Sequence, residues 1–173
     1  MQGLKVGLGT EDGTNVGPLT HERAVEKAMM HVEDAKKHGA KVLFGGFPVK
    51  ELPGHFMNPT LITEMNTKMM TTCEEVFAPV LGMHRFETEE EVIRLANDCN
   101  VGLGSYIMTE NISRSWRVAE AFEVGMVGVN VGVISACESP FGGVKESGYG
   151  REGGTQGLGE YMTVKSILMD VSR

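Results

Sequence analysis

Residues 126–152 read MVGVNVGVISACESPFGGVKESGYGRE: an apolar run, Met126 to Val131, passes into a segment punctuated by Gly142-Gly143 and Gly148-Tyr149-Gly150. Glycine costs about 1 kcal/mol per residue in a helix interior, so 135–152 is not a continuous helix. Between the glycines stand Phe141, Lys145, Arg151 and three glutamates, which argue against a floppy linker and for a shaped loop. The run before it is apolar without alternation, as in a strand running through the interior of a sheet. Ligands of such sheets gather at the carboxyl ends of strands, which is where this loop begins.

Working outward, Ile112, Trp116, Ala119 and Phe122 fall along one face of a helix that Gly125 ends, and Gly104 to Met108 is a strand. Thr88 caps a short helix running to Asn97, with Glu91 at the third helical position completing a capping box and Val92, Ile93 and Ala96 on its buried side. Val80 to Phe86 is another strand. Pro59 makes Phe56 to Ile62 an edge or a bend. Nearer the start, Ala24, Val25, Ala28, Met29, Val32 and Ala35 recur at helical spacing after Thr20, the expected N-cap, and Gly39 closes that helix before the short strand Ala40 to Phe44. The residues through Pro18 are glycine-rich and irregular. Leu158 to Ser172 contains a further strand, Met162 to Met169, expected either to pair with another copy of the chain or to be poorly ordered, since an exposed apolar edge is an association hazard. Strand and helix alternate, so the fold class is α/β, with parallel pairing and right-handed crossovers.

The chain has 173 residues with 41% hydrophobic and 23% charged side chains, a globular composition with room for one good core. Its formal net charge of −7 comes without a basic stripe, which disfavours nucleic acid or an anionic membrane as partner. No apolar run approaches the ~18 residues that span a bilayer. The opening MQGLKVGLGTEDG has neither the basic start nor the apolar core of a secretion signal. The expected location is the cytoplasm. Cys73, Cys99 and Cys137 share no disulfide or metal spacing and read as three small, partly buried thiols in a reducing compartment.

Motif chemistry is sparse. Gly102-Leu103-Gly104 and Gly148-Tyr149-Gly150 lack the full dinucleotide pattern and read as turn glycines. The histidines, His21, His31, His38, His55 and His84, have no paired ligand spacing, so no metal is expected. No nucleophile elbow or phosphate-binding loop is present. The twelve methionines read as core filler. On residue chemistry alone there is no self-sufficient active site.

Three segments taken together nevertheless carry a resemblance. EEVFAPV at Glu74 to Val80, GMVGVN at Gly125 to Asn130 and PFGGVKESGYGRE at Pro140 to Glu152 stand in the order found near the carboxyl end of aldehyde dehydrogenases, and LKVGLGTEDGTNVGPL at the start resembles the family's segment downstream of its nucleophile. The resemblance covers essentially the whole chain and is nearest to the family's succinate-semialdehyde members over residues 116–153. It implies that residues 1–146 are the carboxyl-terminal part of the catalytic domain, a mainly parallel sheet flanked by helices, and that 147–173 form a tail carrying an oligomerisation strand. It also implies a reaction: a cysteine thiolate attacks an aldehyde, hydride passes to NAD or NADP, and a glutamate-activated water hydrolyses the thioester. The family's nucleophile stands in a glycine-glutamine-x-cysteine context that none of the three cysteines shares, and its general base and cofactor domain lie further upstream. The chain is therefore expected to be a fragment, inactive alone, of an enzyme oxidising a small semialdehyde. The alternative is a truncated, non-catalytic subunit that associates through its terminal edge strand.

By resemblance, Glu75 and Phe77 hold the nicotinamide ribose, the alternative being a surface acid and a core aromatic. Ala78 departs from the family's usual glycine. Phe141 falls on the aldehyde-pocket aromatic, or on a packing position. Asn130 matches an asparagine beside the nucleophile that donates to the oxyanion or holds the loop. Ser135 stands where the succinate-semialdehyde enzymes bind the distal carboxylate, though a loop serine is also a common turn former. Glu152 matches an acid implicated in proton movement, and Arg151-Glu152 equally suits an interface ion pair. The implied partners are a small aldehyde and further copies of the chain, as a dimer or tetramer; the family also permits a mitochondrial matrix location.

Overall fold

The computed structural model describes residues 1 and 3–171. The chain divides into two compact units, Met1–Arg85 and Phe86–Arg173, a division that falls within the expected catalytic segment 1–146.

In the first unit, α1 (Glu22–Lys37) packs Ala28, Val32 and Ala35 into a core shared with Met57, Ile62, Met65 and Met69. The three- and four-residue spacing of its apolar positions puts them on one stripe. The N-cap is His21, not Thr20. Its ring Nδ1 accepts from Ala24 N at 3.1 Å, so the imidazole supplies the acceptor expected of a threonine hydroxyl. At the other end Gly39, at φ +93°, lets Gly39 N donate to Lys36 O and Ala40 N to Ala35 O, the two bonds of a Schellman stop. β1 (Lys41–Phe44), β2 (Thr60–Thr63) and β3 (Val80–Gly82) form a sheet in that order, antiparallel then parallel. Pro59 immediately precedes β2. The short α2 (Met70–Cys73) is capped by Asp34 of α1, whose Oδ2 accepts from Met70 N at 2.7 Å.

In the second unit, α3 (Glu89–Asn97) begins at Thr88, whose hydroxyl accepts from Glu91 N at 3.1 Å. The Glu91 carboxylate reaches back to Glu87 N at 2.8 Å rather than to Thr88 N, a capping box displaced by one residue. Val92 and Ile93 are half-buried, but Ala96 is exposed. After β4 (Val101–Gly102), the strand β5 (Gly104–Ile107), the helix α4 (Ile112–Ala121) and the strand β6 (Met126–Val129) make a β-α-β unit whose strands pair in parallel from Gly104↔Met126 to Ile107↔Val129.

The orientation of α4 corrects the expected face. Ser115 and Val118 are buried, whereas Ile112 and Trp116 are 70% and 67% exposed. Two contacts set this rotation. Ser115 Oγ donates to Asn111 O at 3.1 Å, so the hydroxyl is satisfied inside the core, and the Glu89 carboxylate of α3 takes the guanidinium groups of both Arg114 and Arg117. Those bonds, that from Arg117 first, hold the Glu89 carboxyl below its ordinary range.

Two further corrections concern the loop and the tail. A strand, β7 (Val144–Lys145), lies inside the glycine-rich segment and pairs antiparallel with β4. The expected strand at Met162–Met169 does not form: after the 3-10 turn Gln156–Tyr161, residues 162–171 carry no regular structure, and Val164 and Leu168 are almost fully exposed. A strand needs a neighbour to supply its ladder, and among the described residues none pairs with this stretch. Ser172, the expected end of that segment, lies outside the described residues. Cys73, Cys99 and Cys137 are exposed rather than partly buried, because they sit at a helix end and in turns.

Candidate functional site

The sequence-derived site residues divide between the two units. Glu75 and Phe77 belong to the first, and Asn130, Ser135, Phe141 and Glu152 to the second.

The loop 74–79 runs from the end of α2 to β3. Glu74 N donates to Met70 O at 2.8 Å, Lys27 Nζ of α1 donates to the Glu75 carbonyl, and Thr60 N donates to Pro79 O at 2.7 Å, so the backbone is tied at both ends and in the middle. The Glu75 side chain is exposed. Phe77 is 84% exposed at φ +46°, which excludes a core role for its ring. A bulky residue in the left-handed region costs on the order of 1–3 kcal/mol and persists where the surroundings impose it, most often at a ligand site. A carboxylate acceptor and an apolar ring thus both face solvent, two residues apart on a tethered loop.

At the end of β6, Asn130 adopts φ +55° and its N donates to Ile107 O at 2.8 Å. Its side-chain amide makes a two-way clasp with Thr109: Oδ1 accepts from Thr109 N at 2.9 Å, and Nδ2 donates to Thr109 O at 2.8 Å. The clasp joins the turn after β5 to the end of β6, a loop-holding geometry.

Beyond it, Ser135, Ala136, Cys137, Phe141, Glu152 and Gly153 line one open recess of about 440 Å³. Its two sides are joined by a pair of backbone bonds: Phe141 N donates to Glu152 O and Glu152 N to Phe141 O, both at 2.7 Å. Phe141 is half-buried; Ser135 and Glu152 are exposed. Arg151 turns away from its neighbouring acid and donates through Nη1 to Gly143 O at 2.7 Å and Gly150 O at 2.8 Å. Among the described residues, Glu152 makes no ion pair. The Glu138 carboxyl, exposed on the same loop, is held below its ordinary range by its own backbone amide and then by the Cys137 thiol. Cys137 and Gly153 are lining residues that sequence reading missed; nothing in local spacing shows that Cys137 O accepts from Gly154 N and brings the two together.

A second recess, of about 470 Å³, lies in the first unit between α1 and residues 48–56, with Val25, Met29, Leu52, Phe56, Glu26 and Lys50 in its lining. No group of three His, Cys, Asp or Glu side chains is placed to hold a metal among the described residues.

The sequence profile of the aldehyde dehydrogenase family matches residues 1–167. The mitochondrial succinate-semialdehyde dehydrogenase of Oryza sativa subsp. japonica is 48% identical over 98% of this chain and 32% of its own length. The succinate-semialdehyde dehydrogenase [NADP(+)] 1 of Schizosaccharomyces pombe is 46% identical over 96% and 33%. Among solved structures, succinate-semialdehyde dehydrogenase from Burkholderia pseudomallei superposes with a TM-score of 0.90 at 47% identity, covering 92% of this chain and 33% of the other. The NAD+ complex of aldehyde dehydrogenase from Bacillus cereus gives 0.93 at 36% identity, covering 99% and 35%. The chain thus spans about a third of the length of the curated relatives it matches.

Proposed function

The chain belongs to the aldehyde dehydrogenase family, and from that premise we propose that it is part of an NAD(P)-dependent enzyme oxidising a small semialdehyde, succinate semialdehyde first, to the acid through a cysteine thioester. The observation that carries this reading is the recess following β6, where Ser135, Phe141 and Glu152 meet across paired backbone bonds. Phe141 offers an apolar side to the aldehyde's carbon chain. The Ser135 hydroxyl donates to the distal carboxylate, and Glu152, which makes no ion pair among the described residues, takes part in proton movement. Asn130 acts by holding the β5 and β6 ends together through Thr109. Glu75 accepts from the ribose hydroxyls of the nicotinamide cofactor and Phe77 packs beside the sugar. That cofactor, when bound, supplies the hydride acceptor. Relatives described as NADP(+)-dependent and as an NAD+ complex both exist, so either dinucleotide remains assigned.

None of Cys73, Cys99 and Cys137 has the sequence context of the family nucleophile, so these 173 residues are expected to show no aldehyde oxidation by themselves. We assign 1–146 to the catalytic domain and 147–173 to a tail. The exposure of Tyr161, Val164, Ile167, Leu168 and Met169 favours burial of that tail against another copy, in a dimer or tetramer. The same exposure supports the second reading, a non-catalytic subunit that associates through its tail. The described residues contain no helix long and apolar enough to cross a membrane. We place the protein in the cytoplasm, with the mitochondrial matrix as the alternative, since several relatives are named as mitochondrial.

A Ser135→Ala variant in the enzyme that carries these residues tests the substrate assignment, with kcat/KM measured for succinate semialdehyde and for butanal, its uncharged four-carbon counterpart. A hydrogen bond to a charged group is worth about 1.5–3 kcal/mol, so the semialdehyde should lose roughly ten- to a hundredfold while butanal is little changed. Equal losses for both would sink the carboxylate role.

A further inference from the structure

The hydrogen bonds and ion pairs that join the recess to the rest of its unit come from a narrow set of residues. Every hydrogen bond and ion pair described between 131–161 and 86–130 lies within Val144 to Ser147: the β4/β7 pairing, Glu146 N to Asn100 O at 2.9 Å, Gly102 N to Ser147 Oγ at 2.9 Å, and three contacts from one ammonium group. That group is Lys145 Nζ. It donates to Asn97 O at 2.8 Å and Cys99 O at 3.0 Å, and pairs with Glu123 Oε2 at 2.6 Å, with its side chain only 24% exposed. The carbonyl end of α3 is the negative pole of the helix and leaves acceptors without helical partners, so a half-buried cation there is well matched. The receiving surface is itself braced. Asn97 Nδ2 donates to Ala121 O at 2.8 Å and its Oδ1 accepts from Glu123 N at 2.9 Å, which docks the end of α4 on the end of α3. Lys145 adopts φ +55°, a left-handed conformation for a residue with a long side chain.

We infer that Lys145 is a positioning residue for the substrate recess: its ammonium clamps β7 to the joined carboxyl ends of α3 and α4, and so sets where Phe141 and Glu152 stand. Among the described residues its ammonium makes no hydrogen bond or ion pair with a recess-lining residue, and its position is transmitted along the chain. Gly142 and Gly143 connect it to Phe141; Gly143 O is gripped by Arg151, and Arg151 adjoins Glu152. The recess as a place on the molecule stands on the structure, while its being the aldehyde's place rests on the function proposed above.

The test is hydrogen exchange, followed by mass spectrometry, on the full 173-residue chain with Lys145→Met, Lys145→Arg and the milder Glu123→Gln. The Phe141 and Glu152 amides, which make the paired bonds, should exchange roughly tenfold faster in Lys145→Met and by a smaller factor in Glu123→Gln. The β5 and β6 amides should keep their wild-type rates, and Lys145→Arg, which retains a donor cation, should restore protection. Unchanged exchange over 135–154 in both Lys145→Met and Glu123→Gln would overturn the inference, as would acceleration spread evenly over the second unit. Should Lys145→Met not fold, Glu123→Gln decides by the same criterion. Adding succinate to the wild-type chain separates the two readings: absence of protection at 135–154 counts against the substrate assignment alone, and localised loosening on removing the cation still decides the role of Lys145.

Discussion

The first unit, residues 1–85, and the second, beginning at Phe86, are nearly equal in length but are held together differently. The core cluster, Ala28, Val32, Ala35, Met57, Ile62, Met65 and Met69, belongs wholly to the first. Among the described residues the second buries only Ile107, Val118 and Met126 of its apolar side chains, and Ser115 is buried as well. In place of a large core it has backbone packed on backbone at glycines, the Asn97 and Asn130 clasps, and the Lys145 cation on carbonyl oxygens. Apolar burial is non-directional and tolerates a shift of a few tenths of an ångström, whereas hydrogen bonds and glycine contacts are directional and short. The unit that presents the recess is thus built from the interactions that fix position more narrowly.

The largest effect that could break this contrast is a core truncation. Ile62→Ala removes a fully buried side chain at 0% exposure and should destabilise the first unit by about 2–5 kcal/mol, read as a lower urea midpoint and faster exchange of the α1 amides. The 135–154 amides should be far less affected; equal loosening of both would show that the division of labour is false. A second, smaller effect probes the other unit. A Cβ at Gly125 would run into the backbone of Gly142 and Gly143, so Gly125→Ala should cost about 1–3 kcal/mol and loosen the recess. A neutral Gly125→Ala would mean that this glycine packing does not hold the loop.

The smallest expected effect is a pH dependence confined to the first unit. His31 is fully buried in α1, with Nδ1 3.3 Å from Thr71 Oγ1 and no partner for Nε2 among the described residues. Burial first, and then the charge of Lys27, push its pKa below the ordinary 6.5. The folded state therefore prefers the neutral ring, while the unfolded chain takes up a proton as pH falls. Stability from this group is whole above about pH 6.5 and declines as pH drops below it toward the lowered folded value. His84, also lowered by burial, adds in the same direction. Urea midpoints between pH 7.5 and 5.5 should fall more steeply in wild type than in His31→Gln; parallel slopes would remove His31 as the cause.

Much of the element order is visible in the sequence. The α1 stripe, the Gly39 stop, the Thr88 cap and the β5-α4-β6 unit follow from spacing and from glycine, which act over a few residues. Where local signals compete, the reading slips. Thr20 and His21 are both able to cap, and the ring won; Ile112 and Trp116 look like a core stripe, but Glu89 and Ser115 turn α4 the other way. Of the site, Ser135, Phe141 and Glu152 were chosen by resemblance and are found lining one recess. The roles of Thr109 and Lys145 are not legible there, because Thr109 is held through its own backbone by the Asn130 amide and Lys145 donates to carbonyl groups far away in the chain.

The sequence by itself determined the α/β character of the chain, the family segments and the need for a glycine-shaped loop after Met126, since periodicity and backbone permissiveness are local properties. Tertiary structure alone decided that the loop contains a strand paired with Val101–Gly102, that Phe77 faces solvent in a left-handed conformation, and that residues 162–171 stay without a ladder. Each of those depends on whether a partner stands beside the segment, and hydrogen bonds and burial are made between residues that the order of the sequence does not bring together.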